Sequence, residues 1–367
     1  MKKGTIILLV LIIAAGALIA GCSKKDDGSA VSGVEKEKEI IRLTIGGGHP
    51  VTLSYTAMYH DFFIPEVNKR LEGSNYEIKW TEGWGGSIST LADQYESLES
   101  GFLDICDVGS MFEPVKTSGL AFVGFIPFNC PDPEKVAKAV NKTFAAFPEV
   151  VDDIYTNHNI KILTFNTTAT YDFISTFEWG SVDDLAGVKV AAAGSNLNNL
   201  KGTDAITVQS SLNEAYTSFQ TGVYDAWIMS ADFTVAFKLN EVAPHLKKVG
   251  FGTLSSAQGI NLNTWNKLPS QVQNAIADVA AEYGRKIAEK SSAGNEKAYE
   301  KILADGGTVT EFSDVERVEW AAMLPNIPMM WVEEQTAKGY PAREMMQTYF
   351  DALAEEGYEM PRDWLNE

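Results

Sequence analysis

Residues 211–230 read SLNEAYTSFQTGVYDAWIMS, and their pattern decides the fold class. Ser211 and Glu214 have the Ser-x-x-Glu spacing of a capping box, which satisfies two orphan amides at a helix start. Leu212, Ala215, Tyr216, Phe219 and Val223 follow the i, i+3, i+4 rhythm of one buried helical face. Gly222 falls where a left-handed residue closes a helix. Val223 to Met229 is short, apolar and partly β-prone, as a buried parallel strand is. The stretch predicts a helix, a stop and a strand.

The pattern occurs once before. Tyr95-x-x-Leu98-x-x-Gly101-x-x-Asp104 matches Tyr216-x-x-Phe219-x-x-Gly222-x-x-Asp225, and Ile105 to Gly109 again reads as a short buried strand. Two similar units far apart in the chain suggest two similar lobes. Outward from them, strands and helices alternate. Strand patterns occur at Arg42–Ile45, Tyr76–Trp80, Ile160–Asn166, Val188–Ala192, Ala205–Val208, Leu246–Val249, Gln258–Asn263 and Thr308–Phe312. Helical patterns occur at Ser54–Leu71 (interrupted near Pro65), Leu91–Ser100, Pro148–Tyr155, Asp314–Lys338 and Ala342–Gly357. Such alternation argues for α/β lobes with mainly parallel sheets. Pro269 to Ala304 is helical throughout, far longer than the usual three turns, and long enough to bridge two lobes.

The chain begins MKKGTIILLVLIIAAGALIAGC. A basic start, an apolar run and a small-residue end make residues 1–21 a secretory signal peptide. Its end resembles the lipobox of bacterial lipoproteins, which implies cleavage before Cys22 and lipidation of that thiol. A lipidated end holds a protein on a membrane without spanning it, and no later segment has the roughly 20 apolar residues of a spanning helix. Residues 22–38 are polar and charged and read as a flexible tether. The expected layout is then a first lobe over 39–164 with part of 252–304, a second over 165–251, the long helix at 269–304, and a C-terminal strand and helices over 305–367. Cys106 and Cys130 are the remaining cysteines, and their spacing leaves a disulfide in an oxidising envelope open.

The net charge of −19 excludes a nucleic-acid partner, because phosphates need a basic face. Hydrolytic chemistry has no support either. G-x-S-x-G, H-E-x-x-H and the phosphate loop are all absent, and the four histidines have no metal-ligand spacing. No cofactor, no metal and no catalytic residue is expected.

Several segments together resemble the dicarboxylate-type solute receptors of TRAP transporters. Asp184-Leu185-Ala186-Gly187-Val188-Lys189-Val190 is similar to the family's D-L-K-G-L-K-I. Glu214-Ala215-Tyr216 through Gly222-Val223-x-Asp225 is similar to its E-V-Y-x-A-L-Q-x-G-V-V-D. Trp265 through Gln273 is similar to its W-x-x-L-P-x-x-V-Q, and Pro361-Arg362-Asp363-Trp364 to a common ending. The resemblance implies a two-lobed periplasmic-binding-protein-like fold with hinge strands and a long helix along both lobes. It further implies a small organic ligand held in the cleft and delivered to TRAP membrane subunits from the cell envelope.

At the expected site the chain departs from the family. The arginine that clamps a substrate carboxylate is replaced by Ala191, and a frequent asparagine by Met229. No arginine occurs from Leu71 to Gly284. Only arginine's planar fork gives bidentate carboxylate recognition, although Lys189 or Lys201 remains open as a point charge. The expected ligand therefore lacks an essential carboxylate and is neutral, apolar or aromatic. Trp84, Phe112, Tyr171, Phe173, Trp227 and Phe233 are candidate walls, because ligands sit beyond the carboxyl ends of strands in such folds. His49, Ser110 and Gln209 are candidate polar contacts. Asp232, with Glu82 and Glu113, is the alternative for an amine. A non-transport sensor lipoprotein with the same fold also stays open from sequence alone.

Overall fold

The computed structural model describes residues 37–110, 112–113 and 115–367. The signal peptide, Cys22 and most of the tether lie outside the described residues. Strand β1 (Glu39–Gly46) pairs in parallel with β2 (Tyr76–Gly83) along its whole length and touches β3 (Ile105–Asp107) on its other side. The chain continues through β4 (Ile160–Thr167), β5 (Tyr171–Ser175), β6 (Lys189–Ala192), β7 (Ile206–Gln209), β8 (Ala226–Met229), β9 (His245–Gly252), β10 (Ser255–Asn261) and β11 (Thr308–Glu311). They form two sheets, ordered β2-β1-β3-β10-β4 and β11-β9-β5-β8-β6-β7. Each sheet is the centre of one lobe.

The sheets are mixed rather than mainly parallel. β10 runs antiparallel to β3 and β4, and β5 runs antiparallel to β8 and β9. The reason is the way the chain changes lobes. β4 leads directly into β5, and β9 leads directly back into β10. The two passages run in opposite directions, so where they lie side by side they pair antiparallel. β4–β5 and β9–β10 therefore form one antiparallel ribbon running from sheet to sheet. Thr168 N donates to Leu254 O at 3.1 Å where it passes between them.

The helix Ser270–Ala304 follows the same route. Its Val272, Ile276, Val279, Tyr283 and Ile287 enter the core against the first sheet. Its Ala298, Tyr299 and Ile302 enter the core of the second. Gly284 permits close contact with β4, since a Cβ there would lie 2.3 Å from Thr164 Oγ1.

Both repeated units form. The helix Gln94–Ser100 closes at Gly101 (φ 81°) and leads to β3; the helix Leu212–Gln220 is followed by Gly222 (φ 68°) and leads to β8. Both glycines take the left-handed region that a side chain disfavours. Details differ from the sequence expectation. Ser211 makes no side-chain cap, and β8 begins at Ala226 because residues 221–223 are exposed. The helical stretch 54–70 contains a π-type turn at Tyr59–Phe63. The expected helix 314–338 breaks into Asp314–Met323 and Ile327–Ala337, since Pro325 disfavours helical backbone in the residue before it. β5 has no counterpart among the expected strands. Cys106 and Cys130 are both buried and free, so no disulfide joins them.

Candidate functional site

The carboxyl ends of β1, β3, β6, β7 and β8 converge on the ribbon between the sheets, and a cavity of about 370 Å³ opens there. The first lobe contributes His49 from the turn after β1, Leu91, Asp107 at the end of β3, and Phe112 and Glu113 beyond it. The ribbon contributes Asn166, Thr168, Tyr171, Leu254 and Ser256. The second lobe contributes Ala193 after β6, Gln209 at the end of β7, Leu212, Trp227 and Met229 on β8, and Phe233 just past it. This is the placement expected of a ligand site in an open α/β sheet.

Of the residues named from the sequence, eight line this cavity: His49, Phe112, Glu113, Tyr171, Gln209, Trp227, Met229 and Phe233. The others do not. Ala191 is fully buried in the core of the second lobe, and Ala193 holds the cavity-facing place two residues on. Ser110 is buried with its hydroxyl on Ser255 O at 3.4 Å. Asp232 is held by Ser54 Oγ and Ser230 Oγ at 3.0 and 2.7 Å and by the Phe233 amide, which makes it a bracing group at a helix start. Trp84 turns its indole N–H to Glu82 at 2.8 Å and borders a separate space of about 10 Å³ behind His49. Glu82 itself also meets His60 at 2.8 Å, away from the cavity. Neither open lysine is there: Lys189 reaches Gly222 O at 3.3 Å, and exposed Lys201 is absent from the lining.

Tyr55, Asp107, Asn166 and Ser256 are lining residues the sequence reading missed. Asp107 had a usable signal. The repeat that aligns Asp104 with Asp225 also aligns Asp107 with Ile228, at the same strand end.

The electrostatics of the cavity are one-sided. No lysine or arginine lines it among the described residues. His49 is its one basic side chain, and burial lowers the imidazole to about 4, so the ring is neutral at physiological pH. His49 Nδ1 and the Tyr55 hydroxyl share a 2.5 Å hydrogen bond, and burial pushes the Tyr55 phenol well up, so it stays protonated. The acids are Glu113 and Asp107. Burial raises the Asp107 carboxyl, and hydrogen bonds from Ser256, Asn166 and the Gly109 amide partly offset that. Around these groups the wall is apolar and aromatic. Phe233 stacks on Tyr55 at 6.4 Å and meets His49 edge-on at 6.2 Å, which brings rings of both lobes together at one side of the cavity. Such a site can enclose an apolar body and read a few hydrogen-bonding groups, but it offers no charge to an anion. Among the described residues no group of three or more His, Cys, Asp or Glu is placed to hold a metal, and no helix is long and apolar enough to cross a membrane.

Comparison with known proteins places this geometry in context. The family described as bacterial extracellular solute-binding protein, family 7 (DctP), matches residues 61–335. The C4-dicarboxylate-binding periplasmic protein DctP of Rhodobacter capsulatus is 28% identical over 176 residues, 46% of this chain and 48% of that protein. The chain thus spans about half the length of the first curated relatives it matches. Among solved structures, an open TRAP periplasmic solute-binding protein from Desulfovibrio salexigens superposes with TM-score 0.75 at 18% identity, covering 88% of this chain and 98% of that one. A TRAP solute-binding protein from Rhodoferax ferrireducens in complex with copurified benzoate gives TM-score 0.75 at 16% identity, over 86% and 98%.

Proposed function

The chain belongs to family 7 of the bacterial extracellular solute-binding proteins, the TRAP solute receptors, and on that premise we propose that its cavity binds a small neutral, apolar or aromatic ligand without an essential carboxylate. Members of this family are solute-binding receptors, not enzymes. The observation that carries the ligand class is the missing cation. A buried carboxylate needs a paired charge, and among the described residues the acids and bases lining this cavity are Asp107, Glu113 and a neutral His49. The ligand of the Rhodoferax protein, benzoate, is an aromatic acid. This cavity has aromatic walls and, among the described residues, no cation to partner the acid.

In this reading the lobes close over the ligand by bending at the ribbon near Thr168–Thr170 and Thr253–Leu254. The closed receptor delivers the ligand to TRAP membrane subunits. Export by residues 1–21 and lipidation at Cys22 hold it at the envelope membrane, facing the periplasm or the cell exterior. Metabolic labelling with a fatty acid tests the anchor: the wild type should take up label and Cys22→Ser should not, and an unlabelled wild type contradicts lipidation.

A thermal-shift panel of simple acids, neutral aromatics, polyols and amines tests the ligand class, because a bound ligand stabilises the fold by mass action. Melting shifts with neutral aromatics support the reading. Shifts with carboxylic acids alone contradict it. The pair of cavity acids favours a second reading, an amine held by Asp107 and Glu113, and a shift with amines alone selects it.

A further inference from the structure

Asp107 ends β3 at the wall of the cavity and is 9% exposed. Its Oδ1 accepts from the Gly109 amide at 2.8 Å and from Ser256 Oγ at 2.6 Å. Its Oδ2 accepts from Asn166 Nδ2 at 2.9 Å. A carboxylate offers about four lone-pair positions, so one acceptor position remains, on Oδ2. None of the three groups that bond it is a cation. They come from its own turn, from β4 and from β10, so the carboxylate is braced by the ribbon that joins the lobes. Such bracing fixes the direction in which the spare position points. On the other walls, Tyr55 and His49 are engaged with each other.

We infer that Asp107 is the polar anchor of the ligand, with Oδ2 accepting a hydrogen bond from a hydroxyl or N–H group on an otherwise apolar, ring-sized molecule. The inference rests on the reading of the cavity as a site for a ligand without an essential carboxylate. Leu91, Phe112, Leu212, Met229, Phe233 and Leu254 surround the body of such a molecule. Its donor completes the hydrogen bonding of a carboxylate that burial otherwise disfavours. An acceptor-only polar group meets a like lone pair there and is rejected.

The test uses a matched set of probes: benzyl alcohol, benzaldehyde, benzylamine, toluene and benzoate. Each is titrated by calorimetry into the full soluble receptor and into Asp107→Asn. Benzyl alcohol should bind the wild type roughly tenfold or more tighter than toluene, the effect of one hydrogen bond to a charged acceptor. Asp107→Asn should abolish that preference, read as the ratio of alcohol to toluene affinity within the variant. Its carboxamide N–H should also favour benzaldehyde, which only accepts, over benzyl alcohol. That reversal separates an anchor from a bracing group, whose loss weakens all probes alike.

Equal wild-type affinity for benzyl alcohol and toluene overturns the anchor without recourse to any variant. An unchanged alcohol-to-toluene ratio in a folded Asp107→Asn protein overturns it as well. Benzylamine bound more tightly than the alcohol, and weakened by Asp107→Asn, supports the anchor while replacing the neutral ligand by a cation. Binding of benzoate alone overturns the carboxylate-free reading and the anchor with it. No binding by any probe overturns the ring-sized body.

Discussion

Ser54 Oγ donates to Asp232 Oδ2 at 3.0 Å, and the two residues belong to different lobes. Ser54 starts the helix after β1, and Asp232 lies in the first turn of the helix after β8. Asn295 of the long helix joins them, its Oδ1 accepting from the Asp232 amide at 3.1 Å. With the Tyr55–Phe233 stack beside it, this contact fastens the lobes across one side of the cavity. Ser54→Ala removes it without touching the lining. The expected cost to the closed state is about 1 kcal/mol, a roughly fivefold weaker affinity for whichever probe binds. Small-angle scattering of the unliganded variant should show a larger radius of gyration. Unchanged affinity and radius would show that the bond does not hold the lobes.

The second lobe contains a buried acid that makes stability depend on pH. Asp172 on β5 accepts from Tyr299 Oη at 2.5 Å and from the Gly250 amide at 3.0 Å. Burial raises its carboxyl to about 7, against about 3.9 in an unfolded chain. A raised acid binds its proton more tightly when folded. Its stabilising contribution is therefore full below about pH 4 and is lost as pH rises through about 7. Asp172→Asn should flatten the fall in melting temperature between pH 5 and pH 8. A variant whose profile parallels the wild type removes Asp172 as the cause.

His49 titrates in the opposite sense. Its folded value of about 4 lies below the unfolded value of about 6.5, so this group adds stability above the window and loses it as pH falls through it. Imidazole NMR should show the His49 ring neutral at pH 5.5. A titration midpoint above 6 would mean that the ring is hydrated in solution.

The two-lobed fold was legible because its signals are local and periodic. The helix-glycine-strand units at 94–107 and 212–229, and the long run from Pro269, need only spacing to be read. β5 escaped because YDFIS is a short run, buried at every position and lacking the alternation that marks a half-exposed strand. The site was legible only in part. Strand-end aromatics such as Trp227 and Tyr171 follow from topology. Asp232 and Ser110 do not, since whether a polar side chain faces a cavity or caps a turn depends on one bond rotation and on partners distant in sequence. Asp107 is the same case reversed: its partners Asn166 and Ser256 lie on strands no local pattern pairs with β3.

Ala193 offers a gain-of-function test of the missing cation. It is partly exposed at the cavity end of β6. Ala193→Arg places a guanidinium among the aromatic walls, where it can grip a carboxylate in two-pronged fashion. The variant should acquire a melting shift with benzoate that the wild type lacks. A wild type that already shifts with benzoate contradicts the premise.

The free thiols give a simple check on the fold. Cys106 and Cys130 are buried, and burial pushes both thiols up, Cys130 to about 11. Neither should react with a thiol reagent until the protein is denatured, whereupon both should. Reductant should leave the melting temperature unchanged; a drop would reveal a disulfide.

Mass spectrometry of the ligand that copurifies with the receptor tests the central claim most directly. A neutral, apolar or aromatic molecule with a hydroxyl or N–H group and no carboxylate is the expected result. A carboxylic acid released in stoichiometric amount would contradict it.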